Sequence, residues 1–314
     1  MRKRGVRWTG LIVGILAAAA VGWLGLQQVR KEELSESVRK NLGGTYVELA
    51  EGSVHYRLSG PKEGELVILI HGFSVPGYVW EATVPALTAE GYQVLHYDLW
   101  GRGRSDRPDL TYDLELFTDQ LEQLRQTLEL TGTAHLIGLS MGGPIAARYA
   151  ADHPERVATV TLIAPEAGQT TNRTIFPLNL PVIGELVMAG YLEPVLLPSI
   201  QEDDFYAPAR FPDWEERYRE QIQFRGFGRA LLSTIRHLPE IDPGRVYHLM
   251  STRGIPVLLV WGQEDQTFSR KDMTGVEQAL GEVDFQAVPA AGHLPHLERP
   301  ELVNPLIVEF LRAH

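Results

Sequence analysis

The chain has 314 residues, of which 44% are apolar and 22% charged, with 30 glycines and no cysteine. This composition suits a domain with a sizeable buried core, and it excludes a disordered chain, a collagen-like repeat and a disulfide scaffold. The net charge is −11, although residues 1–40 hold eight basic and three acidic residues, so that the remainder carries −16. A domain this acidic is a poor match for a phosphate backbone, and we predict no nucleic-acid binding.

The N-terminus combines a basic cluster with a long uncharged segment. Four basic residues among the first seven precede residues 8–26, a stretch of 19 residues without a charge. As an α-helix this stretch would span about 29 Å, close to the hydrocarbon thickness of a bilayer. We predict a single transmembrane anchor over residues 1–27, with the N-terminus in the cytoplasm and the rest of the chain outside it, periplasmic in a bacterium. The alternative is a signal peptide cleaved near Ala17–Ala20, which would release a secreted protein.

A polar stretch over residues 28–43 is interpreted as a linker or a short helix, and beyond it β-like and helical runs alternate. Alternation of this kind is typical of an α/β fold with a doubly wound, mostly parallel sheet. We predict its first part over residues 44–165 and its second part over residues 252–314. The predicted strands, of which the first two should form a hairpin, are Tyr46–Leu49, Val54–Leu58, Leu66–Ile70, Gln93–Tyr97, His135–Leu139, Val157–Ile163, Ile255–Trp261 and Phe285–Val288.

Apolar residues at helical spacing predict the helices between these strands. One is marked by Trp80, Val84 and Leu87, and another follows the fifth strand at Gly142–Asp152. A closing helix is predicted over Pro300–Ala313, and Pro305 inside it should kink or shorten it.

Residues 166–251 interrupt the alternation with helical stretches rich in proline, leucine and aromatic residues. A crossover between parallel strands needs only about a dozen residues, whereas this segment has 86. We therefore predict a helical cap inserted into the sheet domain. Ten of its apolar residues are expected to line an acyl pocket, to meet the bilayer or to pack against the core: Phe176, Leu178, Leu180, Val182, Ile183, Leu186, Val187, Met188, Tyr191 and Leu192.

The pattern G-x-S-x-G lies at Gly138–Gly142, where a predicted strand turns directly into a predicted helix. A serine at such a turn is held in a strained conformation that projects its Oγ above the sheet. The flanking glycines are needed because the tight turn leaves no room for side chains beside the nucleophile. We predict that Ser140 is the nucleophile, the alternative being an ordinary strand–helix turn.

A serine hydroxyl becomes a strong nucleophile only when a base takes its proton and an acid orients the base. His293 follows the last predicted strand and is the predicted base, with His296 as its rival three residues later. Asp265 follows the preceding strand and is the predicted acid, with Glu264 and Glu166 as alternatives.

The third predicted strand leads into His71-Gly72-Phe73. We predict that the backbone N–H groups of Phe73 and Met141 form the oxyanion hole for a tetrahedral intermediate. His71 is expected to be structural, hydrogen-bonding beneath this loop, because it precedes the nucleophile in the chain.

Five motifs, HGF, DLWGRGRSDRP, GLSMGG, WGQED and AGHLPHLERP, follow one another along the chain. In these motifs the sequence from Thr45 to His314 resembles the α/β-hydrolase superfamily, in particular its capped serine esterases and monoacylglycerol-lipase-like enzymes. The resemblance implies the same nucleophile, acid, base and oxyanion donors, and it implies that the loop Asp98–Pro108 is structural. The serine differs from the aspartate nucleophile of the dehalogenase and epoxide-hydrolase branches, and the proline iminopeptidase motif HGGPG is missing.

The predicted activity is hydrolysis of carboxylic esters, either medium-chain acyl esters or monoacylglycerols, through an acyl-enzyme. We expect no metal and no organic cofactor. The expected partners are a small ester or lipid substrate and the membrane, which the N-terminal helix contacts. Two alternatives share the triad, namely a C–C bond hydrolase and a cofactor-free perhydrolase, and a third is a ligand-binding protein with little turnover. The sequence leaves the oligomeric state open.

Overall fold

The structure, a computed structural model, describes residues 19, 22–23, 25–26, 29–168, 171 and 173–314. Most of the predicted transmembrane anchor, residues 1–27, lies outside these residues.

Eight strands, numbered in chain order, form one sheet. They are β1 (Thr45–Leu49), β2 (Gly52–Ser59), β3 (Leu66–Ile70), β4 (Gln93–Tyr97), β5 (Ala134–Leu139), β6 (Val157–Ile163), β7 (Val257–Gly262) and β8 (Asp284–Val288). Their spatial order is β1-β2-β4-β3-β5-β6-β7-β8. β2 pairs antiparallel with β1 and with β4, and all other neighbours pair parallel. The predicted mostly parallel sheet is confirmed.

The helices also follow the chain order. They are α1 (Glu36–Leu42), α2 (Thr83–Ala89), α3 (Leu114–Thr127), α4 (Gly142–Asp152), α5 (Ile183–Val187), a π-helix (Met188–Leu196), α6 (Leu197–Ser199), α7 (Trp214–Ile222), α8 (Phe227–His237), α9 (Pro243–Ser251), α10 (Arg270–Leu280), α11 (Pro295–Glu298) and α12 (Pro300–Ala313). The expected shortening at Pro305 is wrong, since α12 runs through it. Burial of Val303, Ile307 and Phe310 offsets the hydrogen bond that the proline cannot donate.

Apolar side chains pack on both faces of the sheet. Successive residues of β3 alternate between the two cores, with Ile68 and Ile70 in one and Val67 and Leu69 in the other. β3, β5 and β7 are buried along their whole length because helices cover both of their faces. This buried centre carries the strand ends at which the predicted site residues lie.

The segment between β6 and β7 is built from α5 to α9 and the π-helix, and the described part of it contains no strand. Its helices are joined to the sheet domain by buried polar contacts. Arg102 Nη2 donates to Thr234 Oγ1 at 2.8 Å, and Gln221 Nε2 donates to the Ser74 carbonyl at 2.8 Å. We call residues 166–251 the cap.

The segment that precedes the sheet domain lies against this cap. Glu32 N–H donates to the Gln223 carbonyl at 3.0 Å, and Arg225 N–H donates to the Glu32 carbonyl at 2.8 Å. Lys31 forms an ion pair with the buried Glu193 of the π-helix. The predicted linker over residues 28–43 therefore contains α1 and is held by specific contacts.

Among the described residues, one helical run, Ile183–Asp204, has the length and composition of a membrane span. Only 28% of its most apolar window is buried. Length and composition alone are weak evidence of a span, and this run belongs to the cap.

Candidate active site

The turn between β5 and α4 holds Ser140 in a conformation that costs energy. Its φ is +51°, in the left-handed region, where a residue other than glycine is strained by about 1–3 kcal/mol. The Ser140 N–H donates to the Ile163 carbonyl at 2.9 Å, which ties the turn to β6. A Cβ at Gly142 would lie 2.2 Å from the Ile70 carbonyl oxygen, so only glycine fits there. This is the geometry of a nucleophile elbow at the carboxyl end of a central strand.

His293 and Asp265 form a buried pair above the same edge of the sheet. His293 Nδ1 lies 3.0 Å from Asp265 Oδ2. The other carboxylate oxygen of Asp265 accepts hydrogen bonds from the N–H groups of Thr267 and Phe268, at 2.7 and 3.1 Å. Because a carboxylate accepts and does not donate, Nδ1 carries the proton, which leaves Nε2 of the neutral ring as the basic atom.

Three carboxylates act on the charge of His293. Burial by itself would lower the pKa of His293, but the hydrogen bond and charge of Asp265, with the charges of Asp204 and Glu166, raise this pKa above its ordinary value of 6.5. For the carboxyl group of Asp204, burial has the opposite effect and raises the pKa to about 6. The surroundings of the histidine are therefore acidic, which stabilises an imidazolium.

The rival base lies elsewhere in the core. His296 is fully buried, and its Nε2 lies 3.1 Å from the Val79 carbonyl. Burial lowers the pKa of His296 to about 3, so the ring stays neutral. Its ring packs on Trp80 at a centroid distance of 4.8 Å, as expected of a structural residue.

The two rival acids are engaged with backbone groups. Glu264 Oε2 accepts from Ala291 N–H at 3.0 Å, and Glu264 N–H donates to the Ala291 carbonyl at 3.0 Å. Glu166 Oε1 accepts from Gly168 N–H at 3.0 Å. The structure thus brings Asp265 to the histidine ring, whereas Glu264 is hydrogen-bonded to the backbone of the loop that carries the histidine.

The predicted oxyanion loop is oriented by His71. The Leu99 N–H donates to His71 Nε2 at 2.9 Å, so Nδ1 carries the proton and donates to the Gly72 carbonyl at 2.9 Å. Burial lowers the pKa of His71 to about 4, which keeps this tautomer neutral. Because a trans peptide directs its C=O and N–H to opposite sides, the bond to the Gly72 carbonyl turns the Phe73 N–H away from His71.

This loop also lies close to the elbow. A Cβ at Gly72 would stand 3.1 Å from Ser140 Cβ. Arg102 Nε donates to the Phe73 carbonyl at 2.8 Å and fixes the next peptide. Among the described residues, no hydrogen bond uses the N–H of Phe73 or of Met141 as its donor. The assignment of these two groups as oxyanion donors stays a prediction.

Two carboxylate residues that the sequence analysis did not predict as positioning groups connect the histidine loop to the cap. His293 N–H donates to the Asp204 carbonyl at 2.7 Å. Gly292 N–H donates to the fully buried Glu298 carboxylate at 2.6 Å. The same carboxylate accepts from the N–H groups of Tyr206 and Ala207 in the cap, at 3.1 and 2.9 Å.

Of Asp204 and Glu298, only Glu298 has a signal in the sequence. Glu298 lies within the quoted motif AGHLPHLERP, five residues after the predicted base. Asp204 follows two other acidic residues in the cap, and no pattern distinguishes it from a solvated charge.

Comparison with known proteins bears on the whole sheet domain. The model of the alpha/beta hydrolase family matches residues 67–306. The chain belongs to the alpha/beta hydrolase family. The chain is 40% identical over 273 residues to a putative non-heme chloroperoxidase from Synechocystis; the alignment covers 79% of the chain and 92% of the relative.

Other relatives of the chain are named for other chemistries. It is 26% identical over 272 residues to a 2-hydroxy-6-oxononadienedioate/2-hydroxy-6-oxononatrienedioate hydrolase from Burkholderia vietnamiensis, covering 82% of the chain and 91% of the relative. Among solved structures, a thermophilic esterase from Thermogutta terrifontis superposes with a TM-score of 0.73 at 25% identity, covering 86% of the chain and 99% of the esterase. The predicted superfamily is confirmed. The relatives and solved structures that match the chain include esterases and a C–C hydrolase-like enzyme.

Proposed function

We propose that this protein is a serine hydrolase that cleaves carboxylic esters through an acyl-enzyme. His293 Nε2 takes the hydroxyl proton of Ser140 while Oγ attacks the ester carbonyl carbon. The Phe73 and Met141 N–H groups stabilise the oxyanion, and the C–O bond to the alcohol then breaks as the imidazolium returns its proton to the leaving oxygen. Water repeats these steps on the acyl-enzyme and releases the carboxylic acid.

The observation that carries this proposal is the Asp265–His293 pair together with the strained Ser140. The 3.0 Å contact of His293 Nδ1 with a carboxylate leaves Nε2 as a base. The left-handed backbone of Ser140 stores strain that the fold maintains at one residue of a buried turn. Both are features that a purely structural strand–helix turn does not need.

The charges around the histidine favour a neutral substrate. Asp204 and Glu166 lie close enough to His293 to raise its pKa. Their negative charges disfavour a bound dicarboxylate of the kind that the Burkholderia relative is named for. We therefore place neutral medium-chain acyl esters or monoacylglycerols ahead of C–C bond substrates.

A chain-length series tests the proposal. Each methylene that the protein encloses contributes about 0.8 kcal/mol, so four enclosed carbons would raise kcat/KM by roughly two orders of magnitude. We expect p-nitrophenyl C8 esters to be turned over faster than C2 esters, and Ser140→Ala to abolish both turnover and fluorophosphonate labelling. Full labelling of Ser140→Ala would refute the assignment of Ser140 as the nucleophile. A steep optimum at C2 would be compatible with the serine mechanism but would refute the preference for medium-chain acyl esters.

The Synechocystis relative supports one second candidate, a cofactor-free perhydrolase. In that reaction hydrogen peroxide replaces water, so the acyl-enzyme is released as a peracid and no oxidant beyond the peroxide is consumed. Peracid formation from an ester and hydrogen peroxide, compared with ester hydrolysis in the same mixture, separates the two activities.

We also propose that the N-terminal segment anchors the enzyme in a membrane with its catalytic domain outside the cytoplasm. The uncharged run over residues 8–26 and the basic residues before it support this topology. Sequencing of the mature N-terminus tests it: a chain that begins at Met1 fits an anchor, and one that begins near Val21 fits a cleaved signal peptide.

A further inference from the structure

Most of the exposed large apolar side chains belong to two segments of the chain. Among the described residues, thirteen such side chains are exposed, and only Leu58, Leu110 and Leu249 lie outside the two segments considered next. The other ten belong to the N-terminal helical segment or to the first half of the cap: Trp23, Leu26, Val29, Phe176, Val182, Ile183, Tyr191, Val195, Ile200 and Tyr206. Single exposed apolar residues are ordinary, but such a concentration marks an interaction surface.

The two segments meet at the π-helix. The Trp23 ring reaches Gly190, where a Cβ would lie 3.2 Å from Trp23 Cη2. Lys31, further along the N-terminal segment, pairs with Glu193 on the same helix. The exposed Tyr191 and Val195 therefore lie on the helix that the N-terminal segment contacts. We call these ten side chains the apolar surface.

Within residues 174–201 of the cap, the charged side chains are paired inside the protein. Residues 174–201 contain no lysine or arginine, and their only acidic residues are Glu185 and Glu193. Glu185 Oε1 pairs with Arg236 Nη1 at 2.7 Å, and Glu193 pairs with Lys31. Residues 174–201 thus present no unpaired carboxylate, which would be costly to bring into contact with lipid. The exposed Glu202 and Asp203 follow directly, where the polar side of an interfacial segment faces headgroups and water.

The N-terminal sequence identifies what covers the apolar surface. Residues 8–26 are uncharged and long enough to cross a bilayer, and their C-terminal end is the part that contacts the cap. If residues 8–26 cross a membrane, the apolar surface lies at the membrane face from which the rest of the chain emerges.

We propose that the apolar surface of the cap rests in the interfacial layer of the same membrane. The proposal rests on the anchoring role of residues 8–26, and it adds a second contact by which the catalytic domain is held against the lipid. The run Ile183–Asp204 does not cross the bilayer, because Leu197 and Pro198 are buried and Asp204 is bonded to His293. A helix that lies in the interface buries only its apolar face.

This placement brings the membrane next to the predicted base. Asp204, the last residue of the run, accepts the His293 N–H. An ester dissolved in the lipid would therefore reach the cap at the segment that ends beside the active site.

The chain has no cysteine, so a single cysteine can carry a probe at any chosen position. We would place an environment-sensitive fluorophore at Tyr191→Cys or Val195→Cys, whose native side chains are 51% and 49% exposed. The matched controls are Leu58→Cys and Leu249→Cys, where the native side chains are 40% and 39% exposed on other elements. The full-length protein is reconstituted in phosphatidylcholine vesicles that contain lipids with a nitroxide on the acyl chain.

We expect nitroxide quenching to be at least about threefold stronger at positions 191 and 195 than at the controls, because an interfacial helix lies within the boundary of headgroups and acyl chains. Equal, weak quenching at all four positions, with equal access to aqueous iodide, would overturn the proposal. A blue-shifted cap probe without lipid quenching would also overturn it: the cover would then be a second copy if the protein sediments as a dimer, or residues 1–18 if it is a monomer. Because no substrate is present, the result is independent of ester hydrolysis, which is assayed separately on each variant.

Discussion

Ser140, Asp265 and His293 lie beyond the carboxyl ends of β5, β7 and β8, whereas Asp204 ends a helical run of the cap. The first three are placed by a sheet whose central strands are buried on both faces. Asp204 is placed by a contact between two segments that are distant in the chain. The histidine loop lies between these two regions, with Ala291 bonded to Glu264 of the sheet domain and His293 bonded to the cap.

The difference shows how His293, the proposed base, depends on both regions. The pairing with Asp265 orients the imidazole ring, while the cap fixes the backbone from which the ring projects. A Cβ at Gly292 would stand 2.6 Å from the Asp204 carbonyl oxygen, so the loop and the cap approach each other backbone to backbone. Variants in the sheet domain should therefore change the chemistry, and variants in the cap contact should change the position or charge of the base.

The largest effect is expected where the sheet domain orients the ring. Asp265→Asn should lower kcat by about 10⁴-fold, because an amide stabilises the tautomer that points the wrong nitrogen at the serine. Glu166→Gln, at the first residue of the cap, is the control, and its effect on kcat should stay below about tenfold because its charge acts on His293 only from a distance. Steady-state kinetics on one ester decides between them. The opposite ranking would show that Glu166 is the acid.

The sheet domain was predictable because its signals are local. Buried apolar runs mark the strands, and Gly138–Gly142 joins a strand to a helix within five residues. The order of Ser140, Asp265 and His293 along the chain was enough to predict the pair that the structure brings within 3.0 Å. The boundary of β7 moved from the predicted Ile255 to Val257, an ordinary difference at the end of a strand.

The cap contact was not predictable because it depends on tertiary packing. Nothing local shows that Asp204 meets His293, or that the Glu298 carboxylate accepts from Tyr206 and Gly292 at once. Of the ten apolar cap residues that the sequence analysis selected, only Met188 is buried. Apolar periodicity indicates which residues avoid water, but it does not identify the surface that covers them.

An intermediate effect is expected where Glu298 holds the loop to the cap. Glu298→Gln replaces an anionic acceptor of three N–H groups by an amide whose NH₂ cannot accept, so the loop should shift. A displacement of about 1 Å costs roughly 10²-fold in rate, and we expect kcat to fall by about 10- to 100-fold with a smaller change in KM.

A neighbouring glutamate provides the control for that variant. Glu301→Gln neutralises a side chain that is 58% exposed and paired with Arg299, and it should leave kcat unchanged within about twofold. Circular dichroism and thermal unfolding establish that Glu298→Gln is folded before its kinetics are compared. A folded Glu298→Gln protein with the kcat of the unchanged enzyme would show that the cap does not position the base.

The smallest effect is expected from the charge of Asp204, and it concerns pH. Asp204→Asn keeps the carbonyl that accepts the His293 N–H and removes one of the charges that raise the pKa of His293. Catalysis needs the neutral imidazole, so a raised pKa keeps the base protonated, and the enzyme inactive, up to a higher pH. Removing the charge lowers this pKa, and the acid limb of kcat/KM should move to lower pH, while the plateau at high pH changes by less than about threefold.

The exposed Asp203→Asn is the control and should leave the limb nearly in place, because exposed charges are screened. An unmoved limb in Asp204→Asn would mean that the cap contributes position alone and that Asp265 sets the charge of the base.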